Sequence, residues 1–202
     1  MDFEFTREQK MLMNELDKFL KKEVEPEVEE ADRKKVLKDP EILKSWFKKL
    51  EPFGAVNGPI PEKYGGVEMG AEVLCVLAEE IGRVLAPVPF STSVSLATSA
   101  ICAHGSEAQK NDLLPKLAAG EVIGTFALAE GNGDPDASRI KAKVKNGRLS
   151  GKKYPVTDGS IADFAVVVAR DEANEIGLYF CDLSTSGITS TPIETIDPSR
   201  NT

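Results

Sequence analysis

Histidine and cysteine are scarce in this sequence, which has one histidine, His104, and three cysteines, Cys75, Cys102 and Cys181. A catalytic triad or a histidine-rich metal site would depend on that single histidine, so neither is expected. His104 is instead predicted to end a helix, near the last free carbonyls. The cysteines are odd in number, far apart and set in apolar surroundings. This pattern favours buried, reduced thiols over a disulfide framework or a zinc site.

Positive charge is also in short supply. The chain has 25 Lys and Arg against 33 Asp and Glu, which gives a net charge of −8. This balance argues against non-specific nucleic-acid binding, which needs a basic face, although a local site can still bind an anion. No stretch approaches the roughly 18 apolar residues that span a bilayer. The start, MDFEFTREQK, resembles neither a signal peptide nor a transit sequence, so a cytoplasmic protein is expected.

The first 120 residues have helical patterns. Three helix starts carry capping signals: Thr6 with Gln9, Asp39 before Pro40, and Ser106 with Gln109. Pro26 is predicted to limit the first helix. Further helices are predicted from about Gly70 to Arg83 and from about Ser91 to Ala103. The segment GPIPEKYGG, residues 58–66, predicts a fixed loop between helices.

After Gly120 the pattern changes to short strands. Five segments are compatible with β-structure: VIGTFALAE, IKAKVKNGRLSGKKYPV, FAVVVAR, IGLYFCDL and ITSTPIETI. Asn146-Gly147 lies at the centre of the second segment and predicts a type I′ hairpin turn, since both residues tolerate positive φ. We interpret the fifth segment as a last strand, which Pro192 would place at an edge or a bulge.

These patterns predict an α+β fold with two domains. An amino-terminal α-helical bundle over residues 1–120 is followed by a mostly antiparallel β domain over 121–202. The helices do not alternate with the strands, and no G-x-G-x-x-G or Walker sequence is present, which argues against a Rossmann-type sheet. The β domain has few strands and no closing element. We therefore expect the domain to be incomplete, the chain being a fragment or completed by another chain.

Five motifs, taken in order, carry a resemblance to a known family. They are PEKYGG (61–66), AEEIGR (78–83), HGSEAQKNDLLPKLAAGEVIGTFALAE (104–130), SGKKYPVTDGSIADFAVVVA (150–169) and IDPSR (196–200). Their order and spacing resemble the amino-terminal helical and middle β domains of acyl-CoA dehydrogenases. They are also similar to the divergent members of steroid and other bulky acyl-CoA catabolism, which often work as pairs of unlike subunits.

The resemblance implies a flavin enzyme that uses FAD to introduce a Cα–Cβ double bond into an acyl-CoA thioester. In the family a carboxylate takes the α-proton and the β-hydrogen leaves as hydride to the flavin. The implied partners are an electron-transfer acceptor such as a flavoprotein and further subunits of a homo- or hetero-oligomer. The family's catalytic glutamate lies in a carboxyl-terminal helical domain that is absent from this sequence. None of the 33 acidic residues is therefore assigned as the base, and the chain alone is expected to be inactive.

Two segments match the family's flavin contacts. In FALAE, the residues at the matching positions along the flavin ring are Phe126, Leu128 and Ala129. In KKYPVTDG, a second set, Pro155, Val156 and Thr157, matches the segment that covers the ring and bonds to it. GNGDPD matches a loop that usually reads PGAGSD, and the resemblance places Pro135 at the position of its substrate-contacting Ser.

This chain departs from the family pattern at several of those positions. Ala129 replaces a Thr or Ser and loses a hydroxyl, and Pro155 stands where an aromatic ring covers the flavin. Asp134 replaces a Gly, and Pro135 has neither an N–H nor a hydroxyl to donate. Three hypotheses stay open: a flavin site with altered contacts, a non-catalytic subunit of a heteromeric dehydrogenase that does not itself hold FAD, and an interaction module without a ligand.

Overall fold

The chain divides into two compact units, Met1–Glu121 and Val122–Thr202. The structure is a computed structural model that describes residues 5–34, 37, 39–132, 136–195 and 197. Pro135 and most of the IDPSR motif lie outside the described residues. The α+β class is confirmed, because the first unit is helical and the second carries a sheet.

Six α-helices form the first unit. They are α1 (Arg7–Phe19), α2 (Glu25–Lys34), α3 (Pro40–Lys49), α4 (Ala71–Arg83), α5 (Ser99–His104) and α6 (Glu107–Ala118). The predicted caps of α1, α3 and α6 are confirmed. Thr6 and Ser106 each form a complete capping box, in which the side chain accepts from the backbone N–H three residues later. His104 is the last residue of α5, as predicted.

Two helical segments differ from the sequence prediction. The first helix does not stop at Pro26, because a π-helical turn over Leu20–Val24 leads directly into α2. Pro26 is the second residue of α2, a first-turn position where its missing N–H is tolerated. The helix predicted over residues 91–103 is π-helical over Phe90–Thr98 and becomes α-helical only in α5.

The core of the helical unit is built from the apolar faces of these helices. Helix α1 packs against α4, with Leu16 and Leu77 fully buried. Helices α2 and α3 are joined at Trp46, whose indole Nε1 donates to Glu27 Oε2 at 2.7 Å. Lys49 Nζ reaches the Oε1 of the same carboxylate at 2.7 Å. A buried indole thus keeps a polar partner, as buried tryptophans usually require.

The predicted loop over residues 58–66 is folded tightly on itself. A short 3₁₀ turn, Glu62–Tyr64, ends at Gly65 with φ of +87°, in the left-handed region that glycine adopts freely. The next residue, Gly66, passes directly over the carbonyl of Ile60. The Glu68 N–H donates to that same carbonyl at 3.1 Å, so the oxygen cannot easily move away.

Five strands form one mixed sheet in the second unit. They are β1 (Gly124–Ala127), β2 (Lys143–Lys145), β3 (Arg148–Ser150), β4 (Phe164–Arg170) and β5 (Ile176–Asp182). The pairs β2–β3 and β4–β5 are antiparallel, whereas β1 and β2 both run parallel to β4. Since β5 pairs with β4 along its whole length, β1 and β2 share the opposite edge of β4. The longest ladder is antiparallel, as predicted, but the parallel pairings are not indicated by the sequence.

The turn between β2 and β3 agrees with the sequence prediction, whereas the predicted last strand does not. Asn146 and Gly147 both have positive φ, +50° and +71°, which confirms the primed turn between β2 and β3. The predicted strand ITSTPIETI is wrong: residues 188–195 form no strand, and they pair with none among the described residues. Most of this segment is exposed, and Pro192 has no N–H to donate to a neighbour.

The core of the sheet is small and aliphatic. Ala127, Ala165 and Val167 are buried together, and Val156, Leu149, Cys181 and Leu183 pack against them. The cysteine prediction is half right. The three thiols are free, but Cys75 is exposed and the other two are only half-buried. Cys75 follows Leu74 on α4, and one residue turns a helix position by roughly 100°, which moves it off the buried stripe.

Gly66→Ala is predicted to destabilise the helical unit, whereas Gly82→Ala is its matched control. A Cβ at position 66 would lie 1.8 Å from the Ile60 carbonyl oxygen, while a Cβ at position 82 meets no atom within 4 Å. We expect Gly66→Ala to lower the free energy of unfolding by about 2 kcal/mol or more. Gly82→Ala, in helix α4, should raise it by up to about 1 kcal/mol. Urea unfolding followed by circular dichroism measures both; equal stability of the two variants would contradict the proposed clash.

Candidate functional site

Within the described residues, strand β1 pairs with β4 at one edge and with no strand at its other, open edge. The Phe164 N–H donates to the Ile123 carbonyl. This hydrogen bond determines which residues of β1 point their backbone groups toward the parallel strand β4. Alternate residues of a strand point their backbone groups to opposite edges. The backbone groups of Thr125 and Ala127 therefore face β4, and those of Phe126 and Leu128 face the open edge.

The segment around Tyr154 pairs with the residues that follow β1. The Tyr154 N–H donates to the Ala129 carbonyl at 2.8 Å, and the Gly131 N–H donates to the Tyr154 carbonyl at 2.9 Å. The fully buried Thr125 hydroxyl donates to the Thr157 carbonyl at 2.7 Å. Tyr154 and Pro155 are joined by a cis peptide bond. The structure thus brings together the two segments that the sequence matched separately, FALAE and KKYPVTDG.

Several polar groups remain unpaired where the two segments meet. Within the described residues, no acceptor is found for the backbone N–H of Leu128 or Ala129, and the Thr157 hydroxyl has no hydrogen-bond partner. All three residues are half-buried. Buried backbone amides almost always have a partner in the protein, in water or in a ligand. These groups are therefore donors that remain available to a bound molecule.

A buried ion pair lies directly beside these donors. Lys153 Nζ is 2.7 Å from Glu130 Oε1 and donates to the Leu128 carbonyl at 2.9 Å. The two side chains are 9% and 8% exposed. The Glu130 carboxylate also accepts from the backbone N–H of Lys141 at 2.8 Å and of Ala142 at 2.9 Å. Each charge is therefore paired and hydrogen-bonded, which is the condition for burying charges without a large penalty.

The protonation of Glu130 follows from these contacts. Burial by itself raises the pKa of this carboxyl, but the hydrogen bond from Lys153 and those from the Ala142 and Lys141 amides outweigh it. The net result is a pKa below the ordinary glutamate value of 4.5. Glu130 is therefore ionised at neutral pH and its oxygens are occupied by donors. It is not placed to take a proton from a substrate.

The connection between Glu130 and β2 is held at its far end by Arg170. The guanidinium donates to the carbonyls of Ile140 at 2.8 Å, Ala137 at 2.7 Å and Asn174 at 2.8 Å. The Arg170 backbone N–H also donates to the Ala142 carbonyl at 2.8 Å. Ala142 is thus fixed on both sides, by Glu130 through its N–H and by Arg170 through its carbonyl.

The remaining predicted site residues have mixed surroundings. Val156 packs against the apolar core of the sheet, and the side chain of Pro155 is exposed. Phe126 is half-buried on β1. Pro135, predicted to contact substrate, lies outside the described residues. Contacts of these residues with a flavin or a substrate stay predictions.

A metal site and a membrane-spanning helix are both absent from the part of the chain that the structure describes. No group of three or more His, Cys, Asp or Glu side chains there is arranged to hold a metal ion. No helix there is long and apolar enough to cross a membrane.

Comparison with known sequences decides the family. Residues 6–121 match the acyl-CoA dehydrogenase N-terminal domain. The chain belongs to the acyl-CoA dehydrogenase family. Among its curated relatives, the probable acyl-CoA dehydrogenase YngJ of Bacillus subtilis is 32% identical over 202 residues, which is 95% of this chain and 52% of that protein.

Solved structures agree with this family assignment. Butyryl-CoA dehydrogenase from Megasphaera elsdenii has a TM-score of 0.85 and 28% identity, covering 100% of this chain and 55% of that one. A chain in the structure of the electron transferring flavoprotein of Acidaminococcus fermentans has the same TM-score, 27% identity and the same two coverages. The chain thus spans about half the length of the relatives it matches.

Lys153 is the site residue that sequence reasoning missed. It stands beside Lys152 in a charged stretch, which is typical of a solvated surface, and its partner Glu130 is 23 residues away. The one local signal is the strand alternation around Tyr154, because neighbours on an extended segment point to opposite sides. Lys152 and Lys153 must therefore differ in exposure, and Lys152 is indeed exposed.

The contribution of Glu130 to stability is predicted to disappear on acidification. The pKa of Glu130 is lower in the folded chain than in the unfolded chain. Its stabilisation is therefore complete above pH 4.5 and is lost as the pH falls through the pKa of the folded chain. At neutral pH, Glu130→Gln should lower the free energy of unfolding by about 3 kcal/mol, since it leaves Lys153 buried without a counter-ion. The difference from the unsubstituted chain should shrink below pH 4.5 in urea unfolding.

Glu172→Gln is the control for this measurement. Its carboxylate is exposed and accepts one backbone N–H, that of Asn146, at 2.9 Å. We expect its effect on stability to be much smaller at every pH. A Glu130→Gln effect that does not change with pH would contradict the role assigned to the ionised carboxylate.

Proposed function

We propose that this chain is the helical and middle portion of an FAD-dependent acyl-CoA dehydrogenase that introduces a Cα–Cβ double bond into an acyl-CoA thioester. The observation that carries the proposal is a set of donors that have no acceptor within the described residues, just after β1 and in the segment that pairs with it. Its members are the backbone N–H groups of Leu128 and Ala129 and the Thr157 hydroxyl. They lie in the two segments that resemble the family's flavin contacts.

The donor set suits the edge of an isoalloxazine ring. That edge presents carbonyl oxygens and ring nitrogens, which accept hydrogen bonds from N–H and O–H groups. When bound, FAD would supply the hydride acceptor for the oxidation of the substrate. The contribution of this chain is to hold and orient the ring with backbone groups whose directions are set by the sheet.

No residue of this chain is proposed as the catalytic base. Glu130 is the acidic side chain of the FALAE segment, but its two oxygens already accept from Lys153, Lys141 and Ala142. We therefore expect the chain by itself to bind cofactor without dehydrogenating an acyl-CoA. The base is expected in the part of the relatives' length that this chain does not span.

Further parts of the proposal concern organisation. We assign the helical domain to residues 1–120 and the β domain to 121–202. Reoxidation of the flavin calls for an electron acceptor. The likeness to a chain in an electron transferring flavoprotein structure supports a flavoprotein in that role. We also expect assembly into a homo- or hetero-oligomer and a cytoplasmic location.

A second candidate function is favoured by two observations. Ala129 offers no hydroxyl and Pro155 no ring, so two side-chain contacts of the family's flavin site are missing. A non-catalytic subunit of a heteromeric acyl-CoA dehydrogenase would tolerate both changes. It would contribute to the shape of the complex and would not itself hold FAD.

FAD binding to the purified chain separates the two candidates. The first predicts quenching of FAD fluorescence and a shifted visible spectrum on mixing, whereas the second predicts neither unless a partner subunit is added. Thr157→Val should weaken binding about tenfold, which corresponds to one lost hydrogen bond. Thr191→Val, at an exposed position outside the sheet, is the control and should bind like the unsubstituted chain. Equal FAD binding by Thr157→Val and Thr191→Val would contradict a role for Thr157 in the flavin site.

A further inference from the structure

The geometry points to Lys153 as a positioning residue that aims the Ala129 N–H at the cofactor, with Glu130 as the anchor that holds Lys153 in place. This inference rests on the proposed flavin site and adds residues to it that make no contact with the flavin themselves. It concerns the direction of one backbone donor. That donor matters because Ala129 has no hydroxyl with which to replace it.

The argument begins with one peptide group. The Leu128 carbonyl and the Ala129 N–H belong to the same planar trans peptide, so they point in opposite directions. Lys153 Nζ donates to the Leu128 carbonyl at 2.9 Å. This hydrogen bond fixes the rotation of the peptide plane, and it therefore fixes the direction of the Ala129 N–H.

The following peptide is fixed in the same way from the backbone. The Ala129 carbonyl accepts from the Tyr154 N–H at 2.8 Å. Ala129 is therefore held on both sides, by a side chain before it and by a backbone N–H after it. Of the two, only the lysine contact can be removed by a side-chain substitution, which makes Lys153 the testable member.

The anchor explains why the lysine stays in this position. A lysine side chain is long and flexible, and its ammonium prefers water. Here the side chain is 9% exposed, and its charge is matched by Glu130 Oε1 at 2.7 Å. Glu130 is held in turn by the backbone N–H groups of Lys141 and Ala142. The anchor is thus attached to the sheet rather than to a mobile side chain.

The neighbouring lysine provides a matched control. Lys152 is exposed, and its ammonium lies 5.9 Å from the centroid of the Tyr154 ring. It makes no ion pair within the described residues. Lys152→Met and Lys153→Met therefore remove the same group from adjacent positions, and only the second removes the contact to Leu128.

The experiment measures FAD binding by the purified chain and its variants. Lys153→Met should weaken FAD binding about tenfold, equivalent to one hydrogen bond that is no longer aligned. The visible band of the flavin that still binds should also change shape, because a donor at its edge has moved. Lys153→Arg keeps the charge and should restore part of the affinity, and Lys152→Met should bind like the unsubstituted chain. Unchanged affinity and spectrum in Lys153→Met would overturn the inference, as would an equal loss in Lys152→Met.

A second readout does not depend on FAD. Amide hydrogen exchange at Tyr154, whose N–H donates to the Ala129 carbonyl, and at Lys141 and Ala142 should be faster in Lys153→Met and Glu130→Gln than in Lys152→Met. If the unsubstituted chain takes up no FAD, the proposed function fails, and this exchange alone decides the positioning role. Equal exchange in all variants would refute it. Should Lys153→Met fail to fold, Lys153→Arg replaces it in the FAD-binding and hydrogen-exchange measurements. We expect intermediate effects from this variant. Wild-type behaviour of Lys153→Arg would then count against the positioning role of Lys153.

Discussion

The β half of this chain depends on the buried ion pair between Glu130 and Lys153. Burying two charges is tolerable only when both are paired and their remaining hydrogen-bonding capacity is used. Here the carboxylate accepts two backbone amides and the ammonium donates to a backbone carbonyl. The pair therefore fixes residues 128–131, 141–142 and 153–154 relative to one another. These segments are distant in sequence.

Arg170 extends the same principle to the connection that precedes β2. Its guanidinium donates to the carbonyls of Ala137 and Ile140 in this connection, and to that of Asn174 in the turn between β4 and β5. An irregular segment of this kind would otherwise leave its polar backbone groups to water. Charged side chains thus perform for this loop the role that ladder hydrogen bonds perform for the strands. One consequence is that the open edge of β1 is set by electrostatics as much as by the sheet.

Features that depend on a few neighbouring residues were predictable from the sequence. The caps at Thr6 and Ser106 and the turn at Asn146-Gly147 are local, because both partners lie within three residues. Features that depend on distant partners were not. The path through Pro26 depends on the π-helical turn before it, and residues 188–195 lack a neighbouring strand among the described residues. Within the candidate site, the resemblance to the acyl-CoA dehydrogenase family identified the FALAE and KKYPVTDG segments. It did not indicate Lys153, whose partner lies 23 residues away.

Ala129 lacks the hydroxyl and Pro155 lacks the aromatic ring of the family's flavin contacts. These losses have a different significance when the backbone donors beside them are taken into account. Side-chain donors are lost in one substitution, whereas backbone donors remain as long as the fold aims them. After β1 the amides of Leu128 and Ala129 are half-buried and find no acceptor in the part of the chain that the structure describes, whatever their side chains are. A site that relies on such amides tolerates Ala at position 129, provided that the peptide plane cannot rotate. The requirement then moves from the residue that faces the ligand to the pair that holds its backbone, Glu130 and Lys153. For this reason we expect cofactor binding by this chain to depend on the ion pair rather than on the missing hydroxyl.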